Sequence, residues 1–156
     1  MLLGVVIVGV GALMERNQRG LAIAEVTTRV RDQLTTLRDA ITLCRITWPG
    51  GNNGTGFNVN YPATPGVDTW GNVADLICPG ANGGAGANLW TALNVSLPPG
   101  SNTVSTWQYQ NSGAGIFVKL DALDQDGEYV LAQVAQRIPA ADKTLTTNTL
   151  QIRLKN

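Results

Sequence analysis

The chain has 156 residues and no histidine, and its 11 basic and 11 acidic side chains give a net charge of 0. This length predicts one domain, or one domain with an appendage, and the balanced charge gives no long-range attraction to nucleic acid or anionic lipid. The lack of histidine excludes Ser-His-Asp and Cys-His catalysis and histidine-ligated metals. Only 14% of residues are charged and 18 are glycine, which is typical of a secreted β-rich surface protein. We therefore expect no enzyme activity, no cofactor and no metal site.

The first fourteen residues, MLLGVVIVGVGALM, contain no charged side chain. As a helix they would be roughly 20 Å long, too short to cross a ~30 Å hydrocarbon core unaided. A cleavable secretory signal normally needs a basic start and a small-x-small cleavage site, and neither is present. A buried core helix is a second alternative. We favour a stem that packs against copies of itself, with these predicted contact residues: Met1, Leu2, Leu3, Val5, Val6, Ile7, Val8, Val10, Leu13 and Met14.

A polar belt, Glu15-Arg16-Asn17-Gln18-Arg19, follows the stem. Gly20 comes next and is the weakest interior point for a continuous helix, because glycine costs ~1 kcal/mol there relative to alanine. Residues 1–22 are therefore predicted to form the apolar stem and its polar belt, with Gly20 as a point where the helix can locally melt.

Residues 23–47 are predicted to form an amphipathic helix, because apolar residues recur at steps of three and four. The apolar face consists of Ile23, Val26, Val30, Leu34, Leu37, Ile41 and Cys44. We assign to the opposite face Arg29, Asp32, Gln33, Arg38 and Asp39. Glu25 and Arg29 have the i,i+4 spacing of a helical ion pair. Trp48-Pro49-Gly50-Gly51 is expected to end the helix, since proline cannot continue it.

Residues 48–103 form a Gly/Asn/Pro-rich region of turns and loops. Four aromatic residues, Trp48, Tyr61, Trp70 and Trp90, argue against disorder by giving this region apolar anchors. Cys44 and Cys78 lie outside any CxxC pattern, and we favour one disulfide between them over two free thiols. Such a bond would close a loop of roughly 34 residues and contribute on the order of 3–4 kcal/mol.

Residues 104–156 contain four predicted strands, with the sequences VSTWQYQ, GIFVKLDAL, EYVLAQVAQ and TLQIRL. The segment Asp124–Gly127 separates the second from the third and has the chemistry of a hairpin turn. The expected fold is α+β, with a long N-terminal helix packed on a four-stranded antiparallel sheet.

Two further motifs in the sequence have alternative interpretations. The acids of one short segment, Asp121, Asp124, Asp126 and Glu128, partly match a calcium loop, but Ala122 occupies the position of its first acidic ligand, which favours a solvated hairpin tip. Asn53 and Asn94 begin N-glycosylation triplets, and such triplets also occur by chance.

The helix MLLGVVIVGVGALMERNQRGLAIAEVTTRVRDQLTTLRDAI, followed by loops and the strands from WQYQ to IRLKN, resembles the type IV pilins. That resemblance implies a leader removed by a dedicated peptidase, so that the mature chain starts at its apolar stem. It further implies a pilin head at 23–156, residence in the inner membrane before assembly, contact with assembly machinery, and a helical homopolymer on the cell surface. Adhesion or motility would be the role of such a filament.

Two features depart from the family. Pilins usually carry a glutamate at the fifth mature position, where this chain has Val5, and many place their disulfide in a C-terminal loop instead of at Cys44 and Cys78. A secretion-system pseudopilin with the same fold is therefore an alternative. A monomeric binding module tethered to a membrane by residues 1–14 is another, and no specific nucleic-acid partner is expected.

Overall fold

The computed structural model describes the backbone of residues 2–66 and 68–155 and the side chains of residues 15–66 and 68–155. Its elements in chain order are α1 (Leu2–Thr47), β1 (Gly71–Asn72), β2 (Ile77–Cys78), β3 (Ala87–Asn88), α2 (Leu89–Leu93), β4 (Gln108–Ser112), β5 (Gly115–Asp121), α3 (Gln125–Ala135), β6 (Lys143–Leu145) and β7 (Thr149–Lys155). The chain is thus α+β, as predicted. The side chains of the predicted stem, residues 1–14, lie outside the described part.

Five strands form one antiparallel sheet in the order β1-β4-β5-β7-β6, and β2 pairs with β3 in a separate ribbon. The predicted count of four strands in the main sheet was therefore wrong. The second and fourth predicted strands correspond to β5 and β7, whereas the first is a strand only from Gln108 onward. Val104 makes an isolated bridge to Ala122. The short strands β1 and β6 add the two edges.

The predicted apolar face of α1 is confirmed. Ile23 and Val26 are partly buried at the margin of the core. The rest of the predicted face is buried: Val30, Leu34, Leu37, Ile41 and Cys44. Together with the inward-facing residues of the sheet and of α3, these side chains form a single hydrophobic core. Each fully buried aliphatic side chain contributes about 1.5–3 kcal/mol, so this stripe fixes how α1 lies on the head.

The third predicted strand, EYVLAQVAQ, is a helix instead, and the predicted hairpin at Asp124–Gly127 is its first turn. The carboxylate of Asp124 caps α3 by accepting a hydrogen bond of 2.7 Å from the backbone nitrogen of Gly127. The buried positions of α3, Val130, Leu131, Val134 and Ala135, follow a helical period and not the alternation of a strand. The prediction failed because Val130, Ala132 and Val134 also fit an alternating pattern.

Gln33 is buried and not on the exposed face to which it was assigned. Its Nε2 donates to the carbonyl of Pro99 at 2.7 Å, and its Oε1 accepts from Nε1 of Trp107 at 3.1 Å. A polar side chain is tolerated here because both ends of its amide are hydrogen-bonded. Gln33 thereby ties α1 to the connection before β4.

The loop region is tied to the helix and the sheet. Cys44 and Cys78 form the predicted disulfide, which joins the last turn of α1 to β2. The buried phenol of Tyr109 donates to the carbonyl of Pro62 at 2.8 Å, and burial raises the pKa of Tyr109 well above its ordinary value. Asn58 donates to the side chain of Asn111 on β4 at 3.0 Å. These bonds hold residues 53–62 against the sheet.

Replacing both cysteines by serine should lower the free energy of unfolding by about 3–4 kcal/mol, because the bond closes a loop of 34 residues. Urea denaturation of the oxidised protein, the reduced protein and the Cys44→Ser/Cys78→Ser variant would measure the difference. Equal stability of all three would show that the packing alone fixes this junction.

Gly127→Ala should destabilise the head, because the added Cβ would lie 2.1 Å from the carbonyl oxygen of Thr103 and 3.2 Å from Ala122. We expect the free energy of unfolding to fall by about 1–2 kcal/mol. Overpacking costs ~1–3 kcal/mol, and the higher helix propensity of alanine offsets up to ~1 kcal/mol of that cost. The matched control is Gly20→Ala, where an added Cβ meets nothing within 4 Å. That variant should be neutral or more stable by up to about 1 kcal/mol in thermal unfolding.

Gln33→Leu should lower the free energy of unfolding by about 2–3 kcal/mol, because it leaves the indole nitrogen of Trp107 and the carbonyl of Pro99 without their shared partner. The neighbouring exposed residue supplies the control, and Asp32→Ala should change stability by less than about 0.5 kcal/mol. Urea titration followed by tryptophan fluorescence measures both. A Gln33→Leu protein as stable as the parent would contradict the assigned bridge.

Candidate functional site

The first surface of interest is the segment where α1 leaves the head. Residues 15–22 are all exposed, and Ile23 is the first described residue of α1 that is partly buried. Toward its N-terminus α1 continues from Glu15 for a further 13 residues, or about 20 Å. One continuous helix is therefore exposed over residues 15–22 and packed into the hydrophobic core in its C-terminal half.

An ion pair lies at the point of exit. Nε of Arg19 donates to the carboxylate of Asp126 at 2.8 Å, and the second contact, from the terminal nitrogen of the guanidinium, is 2.5 Å. The hydrogen bond and charge of Asp126 raise the pKa of Arg19 above its ordinary value. Arg31 lies farther along α1 and donates to the backbone carbonyl of Gln133 at 2.7 Å. These two arginines hold α3 alongside α1.

A groove of about 440 Å³ runs between α1 and α3. Its walls include Gly20, Ile23, Ala24, Thr27, Arg31 and Tyr129. Two large apolar side chains nearby are exposed, with 72% of Leu21 and 54% of Tyr129 accessible to solvent. The groove is thus a mainly apolar surface that begins where the helix leaves the head.

Two buried polar atoms on residues that line this groove have no hydrogen-bond partner in the described part of the chain. Oγ1 of Thr27 and Nε of Arg31 are buried and have no partner among the described residues. Buried polar groups are normally hydrogen-bonded, and leaving one unpaired costs about 1–3 kcal/mol. This groove could not be predicted from the sequence, because it exists only if α3 is a helix beside α1.

A second cavity, of about 330 Å³, lies between the C-terminal part of α1, Tyr61 and β7. The charged side chains that line it are Arg38, Asp142, Arg153 and Lys155. Arg45 and Lys155 lie over the ring of Tyr61, at 5.3 and 5.0 Å from its centre. Lys155 also donates to Asn58 at 2.8 Å. The cavity carries excess positive charge, and one of its lining cations, Lys155, contacts the ring of Tyr61.

The remaining predicted site residues are dispersed. Gly20 lies in the exposed part of α1, and its role as a melting point stays a prediction. Nδ2 of Asn53 donates to three backbone carbonyls, those of Phe57, Asn58 and Tyr61, whereas Asn94 is an exposed cap in the left-handed conformation. Glycosylation at either residue stays a prediction.

The acidic segment that resembled a calcium loop is split by the start of α3. Asp124 caps that helix, Asp126 pairs with Arg19, and Asp121 accepts from Thr149 at 2.6 Å. In the described part of the chain, no group of three or more Cys, Asp or Glu side chains is placed to hold a metal ion.

Two further findings concern membrane-spanning segments and similarity to known proteins. Over the residues that the structure describes, no helix has both the length and the hydropathy needed to span a bilayer. No protein-family model matches the chain, and no curated protein or solved structure is significantly similar to it. The function is therefore inferred from the residues and their geometry.

Proposed function

We propose that this chain is a structural subunit of an extracellular filament of the type IV pilus kind, with an assembly role and no catalytic one. The observation that carries the proposal is the division of α1. Residues 23–44 pack into the head, residues 15–22 are exposed, and the fourteen residues before them contain no charge. Such a helix, with an uncharged apolar start and an exposed segment before its buried half, suits assembly through the stem.

Burial of the apolar stem would drive assembly. Removing apolar surface from water yields about 25 cal/mol per Å², and a fourteen-residue apolar helix presents several hundred Å² or more, so its burial is worth many kcal/mol. A head-to-tail contact that does not close on itself produces a fibre and not a ring. The head then faces outward and offers its loops to surfaces or to other molecules.

The disulfide supports an extracellular location, because such bonds persist mainly in oxidising compartments. The cavity at Arg38 and Lys155 and the loops between residues 49 and 103 would be presented on the outside of the filament. Contact with anionic surfaces through that cavity agrees with an adhesive role.

The experiment is electron microscopy of sheared surface material from producing cells, with mass spectrometry of the fibres. We expect thin helical filaments composed mainly of this chain. The test variant is Val8→Asp, which should abolish filaments because it puts a charge in the apolar stem. The matched control is Ser96→Asp on an exposed loop, which should leave filaments unchanged.

Three results would redirect the proposal. Chain found only as a monomer in membrane fractions would replace the filament with a tethered binding module. Short, scarce filaments that depend on a secretion system would indicate a pseudopilin. Filaments of normal abundance from Val8→Asp would refute assembly through the stem.

A further inference from the structure

The chain contains two Asn-Gly pairs, Asn53-Gly54 and Asn82-Gly83. In such a pair the backbone nitrogen of the glycine can attack the side-chain amide carbon of the asparagine, because glycine has no Cβ to hinder the approach. The attack requires a glycine nitrogen that is not engaged in a hydrogen bond and an asparagine side chain that is free to turn toward it. The two pairs differ in both respects.

The pair Asn53-Gly54 is held by hydrogen bonds on every side. Nδ2 of Asn53 donates to three backbone carbonyls at 3.0–3.2 Å. Its Oδ1 accepts from the backbone nitrogen and the hydroxyl of Thr55, at 3.0 and 2.8 Å. The nitrogen of Gly54 donates to Oδ1 of Asn52 at 2.8 Å. Both reacting groups of this pair are therefore engaged.

The pair Asn82-Gly83 is held only by bonds that its neighbours make. Residues 82–85 are all exposed. The carbonyl of Ala81 accepts from the nitrogens of Gly84 and Gly86 at 3.2 and 3.0 Å. Among the described residues, neither the side chain of Asn82 nor the nitrogen of Gly83 has a hydrogen-bond partner. A Cβ added at Gly83 would meet nothing within 4 Å, so there is room for a ring to form beside it.

We propose that Asn82 is a site of spontaneous deamidation, with water as the reactant, and that Asn53 is protected from the same reaction. Hydroxide removes the proton from the nitrogen of Gly83, and this nitrogen attacks Cγ of Asn82. The new C–N bond closes a five-membered imide as the Cγ–Nδ2 bond breaks. The departing nitrogen takes a proton from water and leaves as ammonia, which regenerates hydroxide. Water then opens the imide at either carbonyl, leaving aspartate or isoaspartate at position 82.

The reaction changes both the charge and the backbone of the loop between β2 and β3. The net charge of the chain goes from 0 to −1, because one neutral amide becomes a carboxylate that is ionised at neutral pH. Isoaspartate also adds a methylene to the main chain, within the loop that the carbonyl of Ala81 holds together. The head thus acquires negative charge with age, whether or not the chain forms filaments.

The experiment is incubation of the purified folded protein in mildly alkaline buffer, followed by peptide mapping and mass spectrometry of both pairs. Asn82 should convert at least about tenfold faster than Asn53, because several hydrogen bonds must break before Asn53 and Gly54 can react. Labelling with an isoaspartyl methyltransferase identifies the rearranged product. The variant Asn82→Gln should lose most of this label, because its longer side chain would have to close a six-membered ring.

The control is the same incubation in urea with the disulfide reduced. Each asparagine is then followed by glycine in an unfolded chain, so the two rates should become similar. Equal rates in the folded protein would overturn the proposal, and so would an Asn82 that reacts in urea but stays intact in the folded protein. Neither result depends on filament assembly, so the test is independent of the proposed function.

Discussion

The head depends on covering the apolar stripe of α1. One side of α1 carries the apolar side chains of Val30, Leu34, Leu37 and Ile41. The helix cannot bury them alone, so the sheet and α3 must pack against that side. Gln33 adds a directional constraint within this contact, because its amide fits only one placement of the indole and carbonyl that it joins. The disulfide then fixes the far end of the helix. Burial of the stripe stabilises this contact, and the hydrogen bonds of Gln33 and the disulfide add specific links at two points along α1.

The sequence predicted those parts of the fold whose periodicity is unambiguous. The long stripe of α1 and the alternation of β5 and β7 each extend over seven or more residues, which is enough to separate a period of 3.6 from a period of 2. The segment that forms α3 fits both periods in its apolar residues. Its identity was decided by Asp124, which caps a helix here although Asp and Gly also favour hairpins. The short edge strands β1 and β6 contain too few residues to give a pattern.

The candidate site was less accessible to sequence reasoning for a related reason. A groove between two helices can be predicted only if both helices are predicted. Because the segment that forms α3 was predicted to be a strand, the groove was missed. The burial of Gln33 was hidden because a polar residue beside Asp32 is normally solvated, and only the positions of Pro99 and Trp107 reverse that expectation. The disulfide, in contrast, could be predicted from the sequence, because two cysteines in a secreted-looking chain favour one bond and allow a single pairing.

The continuity of α1 has a mechanical consequence. Because one helix runs from the stem to Cys44, tension applied at the stem passes along a single set of backbone hydrogen bonds and reaches β2 through a covalent bond. The load therefore acts as shear along the whole buried stripe and does not peel α1 away one turn at a time. The first links to be loaded are those at the exit, Arg19 with Asp126, and they can break and re-form without exposing the core. The head would thus resist force applied along the axis of α1.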